Sequence, residues 1–286
     1  MGVLSGVRFD EVLVLQGAPL IGAMFSIGTL TLEKAFVVAA VAVGSLSLVA
    51  HVFVLNDWSG IHGDLRDPFR AGRTFIEKGV RRAELGYLAV ALLALALLVF
   101  WLIGVITFAI AGSIACASAL YSFPAFHMKG LPIFSSALHL VGGALHFLLG
   151  YAAFSAIDGR GVAIGCFFAL VFTAGHLMHE ARGHEGDFLN GIRTNAVAFG
   201  KKASFIAGLV FFTAAYVLLA LLAALGIVPR VLLLAAVLCP LHLWVSLRTL
   251  RIGLTFESLC RLQRSYRLLY AVIGVTMIMT LVPSMI

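Results

Sequence analysis

Charge is scarce in this chain. Only 12% of its 286 residues are Asp, Glu, Lys or Arg, and the acids number 13. Water-soluble domains carry roughly a quarter charged residues, so a soluble fold is excluded. Cysteine is sparse too. Cys116, Cys166, Cys239 and Cys260 form no close pair, which argues against a disulfide framework or a cysteine zinc site. Three of them fall inside apolar runs and read as small fillers. A basic soluble module is missing, and with it the footprint of a nucleic-acid partner. Adjacent histidines are also missing, which sets aside a di-iron oxygenase built from histidine boxes. In "HEARGH", His179 and His184 lie five apart, where a zinc-protease helix needs four. The start of the chain lacks a cleavable signal pattern, since Asp10 and Glu11 sit just before the first apolar run.

Apolar sequence fills the rest, at 62% of residues. Runs of about 20 apolar residues, enough to cross a bilayer, can be placed nine times. The expected spans are 12–31, 35–55, 85–102, 104–123, 133–154, 161–179, 203–226, 230–247 and 268–286, with Gly104 dividing the third from the fourth. The expectation is an all-α, polytopic membrane protein of nine transmembrane helices, one domain over residues 1–286. With the N-terminus cytoplasmic, seventeen of the 20 Lys and Arg fall on the inside, leaving Lys34, Arg160 and Arg230 outside. Basic residues favour the cytoplasmic side, so this split supports the count and places the C-terminus on the opposite side. The net charge of +7 is then cytoplasmic surface, suited to anionic lipid headgroups.

Two stretches at the cytoplasmic ends of spans match each other, "LNDWSGIHGD" at 55–64 and "MHEARGHEGD" at 178–187. Asn56/His179, Asp57/Glu180, Gly60/Gly183, Gly63/Gly186 and Asp64/Asp187 fall in register, which reads as an internal repeat. If the helices continue, positions 57, 60 and 64 share one face, as do 180, 183 and 187. Each repeat then aims two carboxylates one way from a helix C-terminus, where the helix dipole disfavours acids unless something positive compensates. Such oxygen clusters suit a hard cation such as magnesium, which also shares phosphate oxygens. Arg66, Arg70 and Arg73 follow the first cluster, and Arg193, Lys201 and Lys202 the second. Carboxylates holding a metal beside guanidinium groups make a diphosphate site.

At this point the chain resembles the UbiA superfamily of intramembrane prenyltransferases. Asn56, Asp57 and Asp64 match the frame of the first aspartate-rich motif, with Arg73 where the family arginine is expected. Glu180, Asp187, Gly191, Arg193, Thr194, Val197 and Gly200 match the second. Between them "YSFPAFHMKG" is similar to the family's Tyr-Ser-x-Pro segment, giving Tyr121, Pro124 and Lys129. The departures are Gly60 and Gly183, which stand where the family has its middle aspartates, and Glu180, which replaces an aspartate. Asp67, Glu185, His62 and His184 lie near enough in sequence to compensate.

The resemblance implies a UbiA-like bundle that moves a prenyl group, with Mg2+, from a polyprenyl diphosphate donor to an acceptor in the membrane. It implies Asn56, Asp57, Asp64, Glu180 and Asp187 as metal ligands. Arg73, Lys129 and Arg193 become contacts for the diphosphate, with Arg66, Arg70 and Tyr121 behind them. Asp64 or Asp187 is the candidate for removing the acceptor's proton. His139, His146 and His176 are candidates for lining the acceptor cavity. Neither the acceptor nor the donor's chain length is written in the sequence. The alternatives are terpene cyclisation or phosphoribosyl transfer on the same scaffold, or a non-catalytic lipid-binding membrane protein.

Overall fold

The structure, a computed structural model, describes residues 7–123, 125, 126 and 128–285, apart from the side chains of Asp10, Arg73 and Ser284. Among them there is no strand. The helices are α1 (Phe9–Leu15), α2 (Gly17–Ser26), α3 (Leu32–Asp64), α4 (Arg82–Ile103), α5 (Val105–Ser122), α6 (Phe134–Tyr151), α7 (Gly159–Leu189), α8 (Asn195–Phe199), α9 (Lys201–Ala224), α10 (Leu238–Ile252) and α11 (Phe256–Leu281). Among the described residues, seven segments are long and apolar enough to cross a membrane: α3, α4, α5, α6, α7, α9 and the run Arg230–Ile252 that ends in α10. The chain is an integral, multi-pass membrane protein.

The expected first and last spans take a different form. The first is broken at Gln16 into α1 and α2, and its apolar stretch Glu11–Ser26 is shorter than a span. The last is the C-terminal half of α11, whose opening turns carry Arg261, Arg264 and Arg267. Gly104 does divide α4 from α5.

The helix starts follow local chemistry. Thr31 opens α3, Asp158 opens α7 and Thr255 opens α11, each side chain accepting a hydrogen bond from a free backbone N–H three residues on. The two longest helices, α3 with 33 residues and α7 with 31, exceed the ~20 needed to span a bilayer. Their surplus turns carry the two matching motifs, so both stretches are helical to Asp64 and beyond Asp187 respectively.

Packing draws those turns together. Apolar clusters join α2, α6, α7, α9 and α11 on one side, and α3, α4, α5 and α6 on the other. Helices α2 and α6 cross at two glycines. A Cβ on Gly22 would lie 2.1 Å from the Phe147 carbonyl oxygen, and one on Gly150 would lie 1.7 Å from that of Pro19. The motif-bearing ends of α3 and α7 meet directly, where Asn190 Nδ2 donates to the Gly63 carbonyl at 3.0 Å. Phe69, after α3, stacks on Phe256 at the start of α11 with centroids 4.4 Å apart. The loops after α3, α7 and α10 thus gather at one end of the bundle.

Candidate functional site

A cavity of about 630 Å³ opens at that end and runs between the helices. Its mouth carries Arg8, Arg70, Lys129, Asn56 and Asp187, and its body is apolar and aromatic, with Ile114, Phe168, Phe172, Phe212, Ile273 and Met277. Tyr121, His139, His146, His176 and Glu180 also line it. Asp57 and Asp64 stand behind the mouth, and Arg66 and Arg193 are exposed outside the lining. Arg73 closes the short 3-10 turn Ala71–Arg73, its side chain and Pro124 lying outside the described residues.

The acids are compensated by the protein's own donors. Arg8 grips Asp57 with two groups, Nε to Oδ2 at 2.9 Å and Nη2 to Oδ1. Arg70 reaches Asp64 through Nη1 at 3.1 Å and faces Asp67 through Nε at 3.4 Å. Lys129 Nζ lies 3.4 Å from Asp187. Burial works against the Arg70 charge, but Asp64 and Asp187 outweigh it, so its proton is held above the ordinary arginine value.

Glu180 is held differently. Its Oε1 accepts from Ser135 Oγ at 3.2 Å and from His176 Nε2 at 3.0 Å. Its Oε2 accepts from the Asn195 backbone N–H at 3.1 Å and from Asn195 Nδ2 at 2.8 Å. A carboxylate has about four lone-pair positions, and all are filled. Asn195 also accepts from the Ile133 N–H at 2.7 Å, pinning Ile133, a non-glycine residue with φ 67°. With ψ −48° it is the centre of a strained γ-turn, closed by the Phe134 N–H on the Pro132 carbonyl at 2.7 Å.

A resident divalent cation is poorly served by this arrangement. Among the described residues, no three of His, Cys, Asp or Glu converge as a metal-holding group. Glu180 has no open lone pair, both oxygens of Asp57 face Arg8, and Asp64 and Asp187 face Arg70 and Lys129. The five residues expected as metal ligands therefore share one end of the bundle, each acid already compensated, without forming a common oxygen cage.

The glycine positions show why. A Cβ on Gly60 would have the Asp64 carboxylate at 3.9 Å as its nearest neighbour. A Cβ on Gly183, its counterpart in the repeat, would meet Arg70 Nη2 at 3.2 Å and Asp187 Oδ2 at 3.6 Å. The guanidinium lies against the space that the missing side chain leaves. Likewise, a Cβ on Gly186 would fall 2.1 Å from Asp67 Oδ2.

Deeper in the cavity, His139 and His176 stack with centroids 3.7 Å apart, and Tyr121 meets both rings edge-on at 5.2 and 6.3 Å. His139 Nδ1 lies 2.8 Å from the Ser135 carbonyl oxygen. A carbonyl only accepts, so Nδ1 carries a hydrogen, and in the neutral ring Nε2 then holds a lone pair. His146 is held in the same way by Gly142.

Reading motifs alone passes over Arg8, Ser135 and Asn195. Arg8 looks like a topology marker, and nothing in its neighbourhood signals Asp57, 49 residues away. Asn195 follows the Gly-x-Arg-Thr frame directly, which was the one available sign.

A sequence model of the UbiA prenyltransferase family matches residues 18–253. No curated protein matches the chain at significant similarity. Among solved structures, the apo UbiA homolog of Aeropyrum pernix K1 superposes with a TM-score of 0.76 at 18% identity, covering 96% of this chain and 99% of that one. A UbiA homolog from Archaeoglobus fulgidus, bound to GPP and Mg2+, gives 0.69 at 18%, covering 96% and 98%. A structure of digeranylgeranylglyceryl phosphate synthase gives 0.69 at 17%, covering 99% and 97%. At these identities the likeness establishes the shared fold.

Proposed function

Because the chain belongs to the UbiA prenyltransferase family, we propose that it transfers a prenyl group from an allylic diphosphate to an acceptor inside the membrane. One observation carries this reading: a single cavity joins a mouth of Arg8, Arg70 and Lys129 to an apolar, aromatic interior. An allylic diphosphate has the same two halves. Relatives bearing GPP and Mg2+ support the substrate class.

The diphosphate binds among the three cations at the mouth, and the tail lies along Phe168, Phe172, Ile273 and Met277. The allylic carbon–oxygen bond breaks with its electron pair leaving on the diphosphate, whose growing charge the cations stabilise. Few waters reach the apolar cavity, so the allylic cation survives until the acceptor's electron pair closes the new bond. His139, neutral and with Nε2 as a lone pair, takes the proton the acceptor gives up. Asp64 and Asp187, the bases expected from the motifs, instead orient Arg70 and Lys129. The site end faces the cytoplasm, consistent with the uneven distribution of Lys and Arg.

Purified protein is incubated with allylic diphosphates of ten to twenty carbons and a membrane extract, and diphosphate release and labelled product are followed with and without chelator. The expected result is donor-dependent release with the label in a new lipid-soluble product. Folded protein that releases no diphosphate from any donor would overturn the reading. Release with a cyclised hydrocarbon as sole product would move it to terpene cyclisation.

A further inference from the structure

Building on the proposed donor site, we infer that Arg70 is a built-in cation that joins the two motifs and receives the donor's diphosphate where a divalent metal ion would otherwise sit. Three features of the geometry converge on it.

The first is position. Arg70 leaves the loop after α3 yet reaches acids from both repeats. Nη1 donates to Asp64, Nε faces Asp67, and Nη2 lies beside Gly183 and Asp187 on α7. Guanidinium carries five N–H donors, and Asp64 and Asp67 engage one each on Nη1 and Nε, so donors remain for phosphate oxygens. Arg70 is also part of the cavity wall.

The second is space. Any side chain at Gly183 would press on Nη2, because its Cβ alone would lie 3.2 Å away. Gly60, the equivalent position in the first repeat, has no such neighbour, its Cβ site being 3.9 Å from Asp64. The repeat is therefore asymmetric here, with the Arg70 guanidinium beside Gly183 and none beside Gly60.

The third is the state of the acids. Glu180 is filled by Ser135, His176 and Asn195, and Asp57 by Arg8. These groups have been drawn into holding the bundle together, which leaves Asp64, Asp67 and Asp187 around a charge that is already present. An arginine held by Asp64 and Asp67, with the Asp187 charge nearby, is preorganised for a charge-assisted grip on phosphate.

The test separates this inference from the proposed function. Binding of geranyl S-thiolodiphosphate, which resists ionisation, is measured by calorimetry in magnesium and in EDTA, and Mn2+ binding to ligand-free protein is measured by electron paramagnetic resonance. The expected result is donor binding that changes less than about threefold in EDTA and no tightly bound Mn2+. Arg70→Gln is expected to weaken binding in EDTA by about 10- to 100-fold, the loss of one charge-assisted contact, with Arg70→Lys between the two. The pair Arg70→Gln with Gly183→Asp should gain Mn2+ binding and become sensitive to EDTA. Wild-type binding that vanishes in EDTA, or two tightly held Mn2+ ions, overturns the inference and leaves prenyl transfer standing. Absence of binding in either buffer, from folded protein, overturns the donor reading itself.

Discussion

Replacing Glu180 separates its two conceivable roles, internal crosslink and metal ligand. Its side chain is buried, at 3% exposure, and four donors converge on it. Glu180→Ala strands the Asn195 backbone N–H and removes the carboxylate from His176, Ser135 and Asn195 Nδ2, which keep only their bonds to Ser135 and Ser136. Removing one member of a buried, hydrogen-bonded charged set costs about 3–5 kcal/mol, and the thermal midpoint should fall on the order of 10 °C. Glu180→Gln is the informative partner. Its amide oxygen keeps both Asn195 bonds, while its NH2 meets His176 and Ser135. His176 can move its hydrogen to Nδ1 and accept, and the Ser135 hydroxyl can accept as well. The expected cost is therefore about 1 kcal/mol, that of one ordinary hydrogen bond. Both variants are compared in detergent by fluorescence-detected size exclusion after heating. The reasoning fails if Glu180→Ala melts within 2–3 °C of wild type, a shift worth about 1 kcal/mol; Glu180 would then be free to serve a ligand.

Gly150→Ala places a methyl 1.7 Å from the Pro19 carbonyl oxygen; α2 and α6 must separate by about 1.5 Å to restore ordinary contact, and the variant should lose about 1–3 kcal/mol. Gly112→Ala, in a helix where the new Cβ has no neighbour within 4 Å, should hold its thermal midpoint or raise it. Ile133→Gly should raise the midpoint, because the side chain is 68% exposed and the γ-turn conformation (φ 67°, ψ −48°) costs a β-branched residue about 1–3 kcal/mol. Asp158 is held below the usual carboxylate range by the Gly161 N–H and then by the Tyr151 hydroxyl. Its depressed value means that its contribution is present at neutral pH and is lost as pH falls through that lowered value. Wild type and Asp158→Ala should therefore differ in melting at pH 7, and the difference should shrink as pH falls below the ordinary carboxylate value.

Local pattern alone determined the membrane bundle. Apolar runs must hide their backbone polar groups in helices, Gly104 breaks the third run from the fourth, and the matching stretches continue their helices because nothing in them stops one. The UbiA family could be read from the same string, since its motifs are short, ordered and tied to helix ends. Which residues would confront one another at the mouth depended on tertiary structure. Arg8 finds Asp57 across 49 positions, Ser135 and Asn195 close on Glu180 from two other segments, and Arg70 enters the space beside Gly183. Sequence spacing places two acids on one helix face, but it says nothing about which cation arrives from another helix to meet them. The first and last expected spans differ for a related reason. Hydropathy counts apolar residues, whereas the break at Gln16 and the placement of α11 go with contacts such as Ser45 on Gln16 and Glu11 with Arg267. Those contacts exist only once the helices are packed.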